Sequence, residues 1–208
     1  ELNKQLAQFD EYKPKERERV AAVRDIGRNP PHTLLVTENG KEDIAPGYLS
    51  ILDPGEATII KIDERLNSTG RRATLAQWLT DGDNPLSSRV MVNRLWQWHF
   101  GSGLVISSND LGVLGDRPSH PELLDWLARK FVKDDWSLKS MHQLIMNSAT
   151  YRQASIRPDS ETAETIDPNN RLLWKMPIRR MDAEQLRDAM LYVTGEMDLN
   201  MGGPAVPE

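Results

Sequence analysis

Ser87-Ser-Arg-Val-Met-Val-Asn-Arg-Leu-Trp-Gln-Trp-His-Phe100 is the stretch whose reading decides the fold. Its apolar residues recur at three- and four-residue steps, the spacing of helical faces. Met91, Leu95 and Trp98 form one stripe, and Val92, Trp96 and Phe100 form the adjacent one. Ser87 is read as the N-cap after Pro85, and Gly101 and Gly103 end the helix, as glycines commonly do at C-termini. The same texture extends on both sides. Upstream, 74–80 carries Leu75, Trp78 and Leu79 on one side. Downstream, Ser119-His-Pro-Glu122 reads as a capping box opening a helix with Leu123, Leu127 and Phe131 on one face. Ser137 caps another helix, which holds Leu138, Met141 and Ile145. Leu95, Leu127 and Ile145 are expected in one core.

Residues 155–170 read as a polar loop, and Asp167-Pro168 can open a short helix through Trp174. Asp182 with Gln185 begins a last helix, carrying Leu186, Ala189, Met190 and Val193 and ending at Gly195. Towards the N-terminus the pattern differs. Leu2, Leu6 and Phe9 suggest the charged helical tail of an upstream segment over 1–19, interrupted at Pro14. The 20–66 stretch reads as a small β-rich element. It contains the β-prone 32–38, the Asn39-Gly40 turn signal and the apolar runs 48–52 and 58–62. The expected fold is therefore mainly α: a multi-helix globular domain over 67–208 with a small β-rich N-terminal element packed on it.

Composition sets the outer bounds. The 208 residues are 38% hydrophobic and 27% charged, as in an ordinary water-soluble globule, and no apolar run approaches a bilayer span. A formal net charge of -5 argues against a dedicated nucleic-acid binder. There is no cysteine, which excludes disulfides, thiolate metal sites, covalent c-type haem attachment and thiol nucleophiles within this chain.

Several motifs in order carry a resemblance. They are 72–79 (Arg-Ala-Thr-Leu-Ala-Gln-Trp-Leu), Asn84-Pro-Leu86, 89–96, 99–104, 118–127 (Pro-Ser-His-Pro-Glu-Leu-Leu-Asp-Trp-Leu) and Ser148-Ala-Thr-Tyr-Arg-Gln153. The motifs Asp167-Pro-x-Asn-Arg-Leu-Leu and Met181-Asp-Ala-Glu-x-Leu-Arg-Asp188 follow. Together they closely resemble the planctomycete-type domain of unknown function 1553, over roughly 20–208. That domain typically lies near the C-terminus of large exported proteins whose N-terminal part looks like cytochrome c. The resemblance implies an extracytoplasmic location and, as partners, the other domains of a parent protein. It also implies that haem belongs to those domains and no cofactor to this chain. The family pattern continues past Gly202-Gly-Pro, so the helical domain is expected to be truncated at its C-terminus. No reaction is implied.

For chemistry, Asp110, Asp116, His120, Glu122 and Asp125 lie within one loop and the helix after it. Carboxylates beside a histidine are the groups that general acid–base catalysis or a divalent metal would use. The same residues suit capping and turn roles. Arg89 and Asn93, four residues apart with Arg94 beside them, suit either an anion or sugar site or a network positioning nearby loops. Trp96 and Trp98 point in nearly opposite directions on a helix, so one of them is expected to be exposed and able to stack on a ligand. His99 is a weak ligand candidate without a spaced partner, and no metal site is assigned. The leading expectation is a non-catalytic structural or interaction module. One alternative is a hydrolase on extracellular polysaccharide using the acidic and histidine groups of 110–125. Another is a carbohydrate- or ligand-binding module using an exposed tryptophan.

Overall fold

A computed structural model of the chain describes residues 23, 25, 27–29, 33–38, 40–63, 65–158, 160–200 and 202. It is mainly α, with a small two-stranded sheet near the N-terminus. The described elements are β1 (Thr33–Thr37), β2 (Gly40–Ile44), α1 (Arg71–Leu79), α2 (Ser87–Phe100), α3 (Pro121–Lys133), α4 (Leu138–Met146), α5 (Glu161–Ile166) and α6 (Ala183–Thr194). The chain divides into two compact units, Glu1–Asp81 and Gly82–Glu208. The helical tail read over 1–19 lies outside the described residues.

In the first unit β1 and β2 pair antiparallel, with Thr37 opposite Gly40. That register makes 38–39 the connection, and Asn39 lies outside the described residues. The apolar runs 48–52 and 58–62 do not form strands. An isolated bridge joins Gly47 to Glu56, just outside the two runs. The second run is tied to α1 through its backbone, and the first through a ring contact. The Thr74 hydroxyl accepts from the Ile60 N–H at 3.0 Å and donates to the Gly70 carbonyl, also at 3.0 Å. Tyr48 stacks on Trp78 with ring centroids 4.7 Å apart. Gly70 sits at φ 80, and a Cβ there would meet the Ile60 carbonyl at 2.8 Å, so the approach requires glycine. Leu75 and Leu79, read as one side of this helix, are exposed.

The second unit holds the core. Val92, Leu95, Trp96 and Phe100 of α2 pack with Leu124, Leu127 and Phe131 of α3 and Met141 and Ile145 of α4. Leu95, Leu127 and Ile145 thus share one core, as their spacing predicts. Trp96 is 5% exposed and Trp98 is 56% exposed, the divergence expected of positions about 100° per residue apart. Trp98 therefore does not join Met91 and Leu95 in a buried stripe.

The caps separate into two groups. Ser137 accepts from the Ser140 N–H at 3.2 Å, and Asp182 with Gln185 forms the capping box of α6, which ends at Gly195 with φ 77. Ser87, however, lies inside α2. The N-cap is Leu86, and Asn84 Oδ1 accepts from the N–H groups of Leu86 (3.0 Å) and Ser87 (3.3 Å) in place of a capping serine. Ser119 likewise lies one residue too early. His120 is the N-cap of α3 and makes no side-chain cap bond, because Pro121 starts the helix and the Ser119 hydroxyl turns to the Leu104 carbonyl. Two further readings change. Helix α5 falls inside the segment read as a loop, and the helix expected over 167–174 is a folded loop with Asn170 at φ 53 and Leu173 at φ 59. Among the described residues no helix is long and apolar enough to cross a membrane.

Candidate functional site

Between α2 and α3 the chain runs through the segment 101–120, which carries the candidates Asp110, Asp116 and His120. One buried amide fixes its course. Asn93 is fully buried, its Nδ2 donates to the Val105 carbonyl and its Oδ1 accepts from the Val105 N–H, both at 2.9 Å. Asn93 Nδ2 also lies 3.3 Å from the Ser108 hydroxyl, which donates to Gln97 Oε1 at 2.9 Å. Gly103 makes the approach sterically feasible, since a Cβ there would lie 2.6 Å from the Val105 carbonyl and 2.7 Å from the Asn93 amide. Leu104 and Val105 are consequently buried in the core.

The acidic candidates are distributed along this loop and the first turns of α3, and Asp110 and Asp116 are held by bonds within the loop. Asp110 Oδ1 accepts from the Gly112 N–H at 2.9 Å, an Asx turn, and its carbonyl accepts from the Ser107 hydroxyl at 2.8 Å. Asp116 is exposed, and its N–H donates to that same Ser107 oxygen at 2.7 Å. His120 is half-buried, with Nδ1 3.0 Å from the Ser119 hydroxyl. Glu122 is exposed in the first turn of α3, where a carboxylate favours the helix dipole. Asp125 pairs with Arg89 across α2 and α3 at 2.7 Å. The hydrogen bond from Arg89 holds the Asp125 carboxyl below the usual carboxylate range, against the opposing effect of burial. Arg94 reaches Asn109 at 3.1 Å rather than Asp110. Ser107 therefore ties Asp110 to Asp116, while Asp125 belongs to a separate ion pair. No group of three or more His, Asp or Glu side chains among the described residues could hold a metal ion.

Two arrangements were not legible from the sequence. The first joins α2 to α4: His99 Nε2 lies 2.8 Å from His142 Nδ1, so one ring donates and the other accepts. Tyr151 stands edge-on to His99 with centroids 5.5 Å apart. Burial lowers the His99 pKa below its ordinary value, and the charges of His142 and Arg179 push it the same way. The unfolded chain then binds more protons than the folded one over the window from about 6.5 down to the depressed value. Stability should accordingly fall as pH drops through that window. Urea midpoints measured at pH 7.5 and 5.5 check this, and His99→Gln should shrink the difference between them. An equal difference in the variant would assign the slope to other groups.

The second is a cleft of about 470 Å³ between the C-terminal end of α2 and the loop after α5. Trp96 and Phe100 line its floor, stacked with centroids 4.3 Å apart. The segment 101–104 forms one wall and 168–171 the other. The second wall is built on Asp167, which is 8% exposed and accepts from the N–H groups of Arg171 (2.9 Å) and Leu172 (2.7 Å). The Asp167 carbonyl accepts from the Trp174 indole at 3.0 Å. Asn170 exchanges two bonds with the Lys175 backbone, and Gln153 donates to the Leu173 carbonyl at 2.8 Å. Of the ligand-binding candidates, Trp96 therefore reaches a cleft, Asn93 is bonded beneath the adjoining loop, Arg89 is paired with Asp125, and Trp98 stands exposed elsewhere on α2. The available signal for the cleft was the Asp167-Pro-x-Asn-Arg-Leu-Leu motif, whose aspartate serves the amides four and five residues on instead of starting a helix.

Neither a curated protein nor a solved structure matches this chain. Residues 71–208 match the family model described as PSD1, protein of unknown function (DUF1553), which spans more than half of the chain, and the chain belongs to that family.

Proposed function

We propose that the chain is a non-catalytic helical interaction module, through which a larger exported protein packs its domains together. The observation that carries this reading is α6. None of its twelve residues is buried, and Leu186, Met190, Tyr192 and Val193 are 52%, 62%, 75% and 85% exposed. A helix of this length is marginal in water without packing on an apolar face. Leu186, Met190 and Val193 recur at the spacing of one such face, with the capping box and Gly195 defining both ends. Contiguous exposed apolar side chains of this kind mark an interaction surface.

The occupant we assign is another polypeptide surface of the same parent protein. The family resemblance supports that choice, together with an extracytoplasmic location and a cytochrome-c-like neighbour that carries any haem. The acidic residues of 110–125 fit the same reading. Asp110 and Asp125 hold a turn and an ion pair, and Glu122 stands in a helix first turn.

Cysteine labelling tests the surface, because the chain has no other thiol. Val193→Cys should react with a maleimide at the rate of a free thiol in the isolated chain. In the parent protein it should react at least about tenfold more slowly, as expected for a site opened only by local undocking. Equal rates in the two settings would remove α6 as the docking surface.

A further inference from the structure

We propose that the cleft beside Trp96 binds a small organic anion with a flat apolar body, of the aryl carboxylate class. Its volume of about 470 Å³ lies in the range of small-molecule sites, roughly 300–1,000 Å³. An apolar floor with a few polar groups at the rim is the usual design of such sites. Here the floor is the stacked Trp96–Phe100 pair, and the charged rim is wholly basic. Among the described residues, Arg171 and Lys175 are the only charged ones lining the cleft, in a chain with 31 acidic and 26 basic residues.

Among the described residues, Glu164 is the carboxylate that engages this rim, at Lys175, and Arg171 keeps its charge unpaired. Asp167 faces the amides of its own loop, as described above. Glu164 lies outside the lining and stands 3.5 Å from Lys175, whose ammonium also sits 4.3 Å from the Trp174 ring centroid. Arg171 makes no ion pair among the described residues, and its guanidinium reaches only the Arg117 carbonyl, at 3.5 Å. A planar guanidinium matches a carboxylate in two parallel hydrogen bonds, which favours an anion over a neutral hydroxyl. The wall that carries Arg171 is also preorganised. Asn170 and Leu173 are held in left-handed conformations, and the Asp167, Gln153 and Asn170 bonds hold the loop there. Preorganised walls lower the ordering cost of binding.

This inference is independent of the docking role of α6. The test is a nuclear magnetic resonance titration of the chain with 1-naphthoate, and in parallel with the neutral 1-naphthalenemethanol. Naphthoate should give saturable shifts at the Gly103, Asn169 and Asn170 amides and the Trp96 indole, with Kd of about 1 mM or tighter. The alcohol should bind roughly tenfold more weakly, and Arg171→Gln should abolish that preference. Lys175→Gln provides a second arm and should reduce it. Equal binding of the two probes, shifts confined to α6, no saturation by naphthoate, or an unchanged preference in both variants would overturn the proposal.

Discussion

Leu127→Ala should destabilise the protein by about 2–5 kcal/mol in urea or thermal unfolding. Leu127 lies at the middle of α3, is 2% exposed and belongs to the cluster joining α2, α3 and α4. Truncation removes its transfer energy and leaves a cavity that surrounding side chains only partly fill. The matching control is Leu186→Ala on α6. Leu186 is 52% exposed, so its loss should fall within about 1 kcal/mol. Comparable losses at the two leucines would mean that α6 is packed on the body of the isolated chain. A small loss at Leu127 would place α3 outside the core.

Asn93→Asp should have an effect of similar size, with a pH dependence that Asn93→Ala lacks. Asn93 is fully buried and satisfies both the N–H and the carbonyl of Val105. Alanine leaves the Val105 N–H unpaired, at about 1–3 kcal/mol, and the carbonyl with only the long bond from the Ser108 hydroxyl, at 3.4 Å. The aspartate variant retains an acceptor for the N–H but sets an ionised oxygen against the Val105 carbonyl. Burial would raise the pKa of the new carboxyl above the unfolded value of about 3.9. The folded state then binds more protons, so stability should fall as pH rises through that window. Unfolding midpoints at pH 4 and pH 7, each relative to the parent protein, provide the measurement. Equal deficits of Asn93→Asp at both values would contradict the clamp on Val105.

Local rules made much of this architecture legible. The periodicity of Val92, Trp96 and Phe100, and of Leu127 and Phe131, is set by helix geometry alone, although the buried leucine of the first turn of α3 is Leu124, with the expected Leu123 only partly buried against the core. The caps at Ser137 and Asp182 are equally local. Ser87 and Ser119 show where such rules stop. Asn84 takes over the first, and a bond to Leu104, fifteen residues upstream, takes the second. The cleft was illegible for the same reason. Its walls come from 101–104 and 168–171, far apart in sequence, and the Asp167-Pro168 pattern suggests a helix start although the Asp167 carboxylate serves loop amides. His99 and His142 meet only because α2 and α4 pack together. Of the acidic residues of 110–125, Asp110 and Asp116 are linked through Ser107, whereas Asp125 is drawn into an ion pair with Arg89.

Hydrogen exchange across 183–194 tests the central claim most directly, comparing the isolated chain with the larger parent protein proposed above. The amides of α6 should exchange in the isolated chain at rates near those of a fraying helix, and slow markedly in the parent protein. Residues 121–133, inside the core, should be protected in both. Strong protection of α6 in the isolated monomer, or identical uptake in the two settings, would contradict a docking role for this helix.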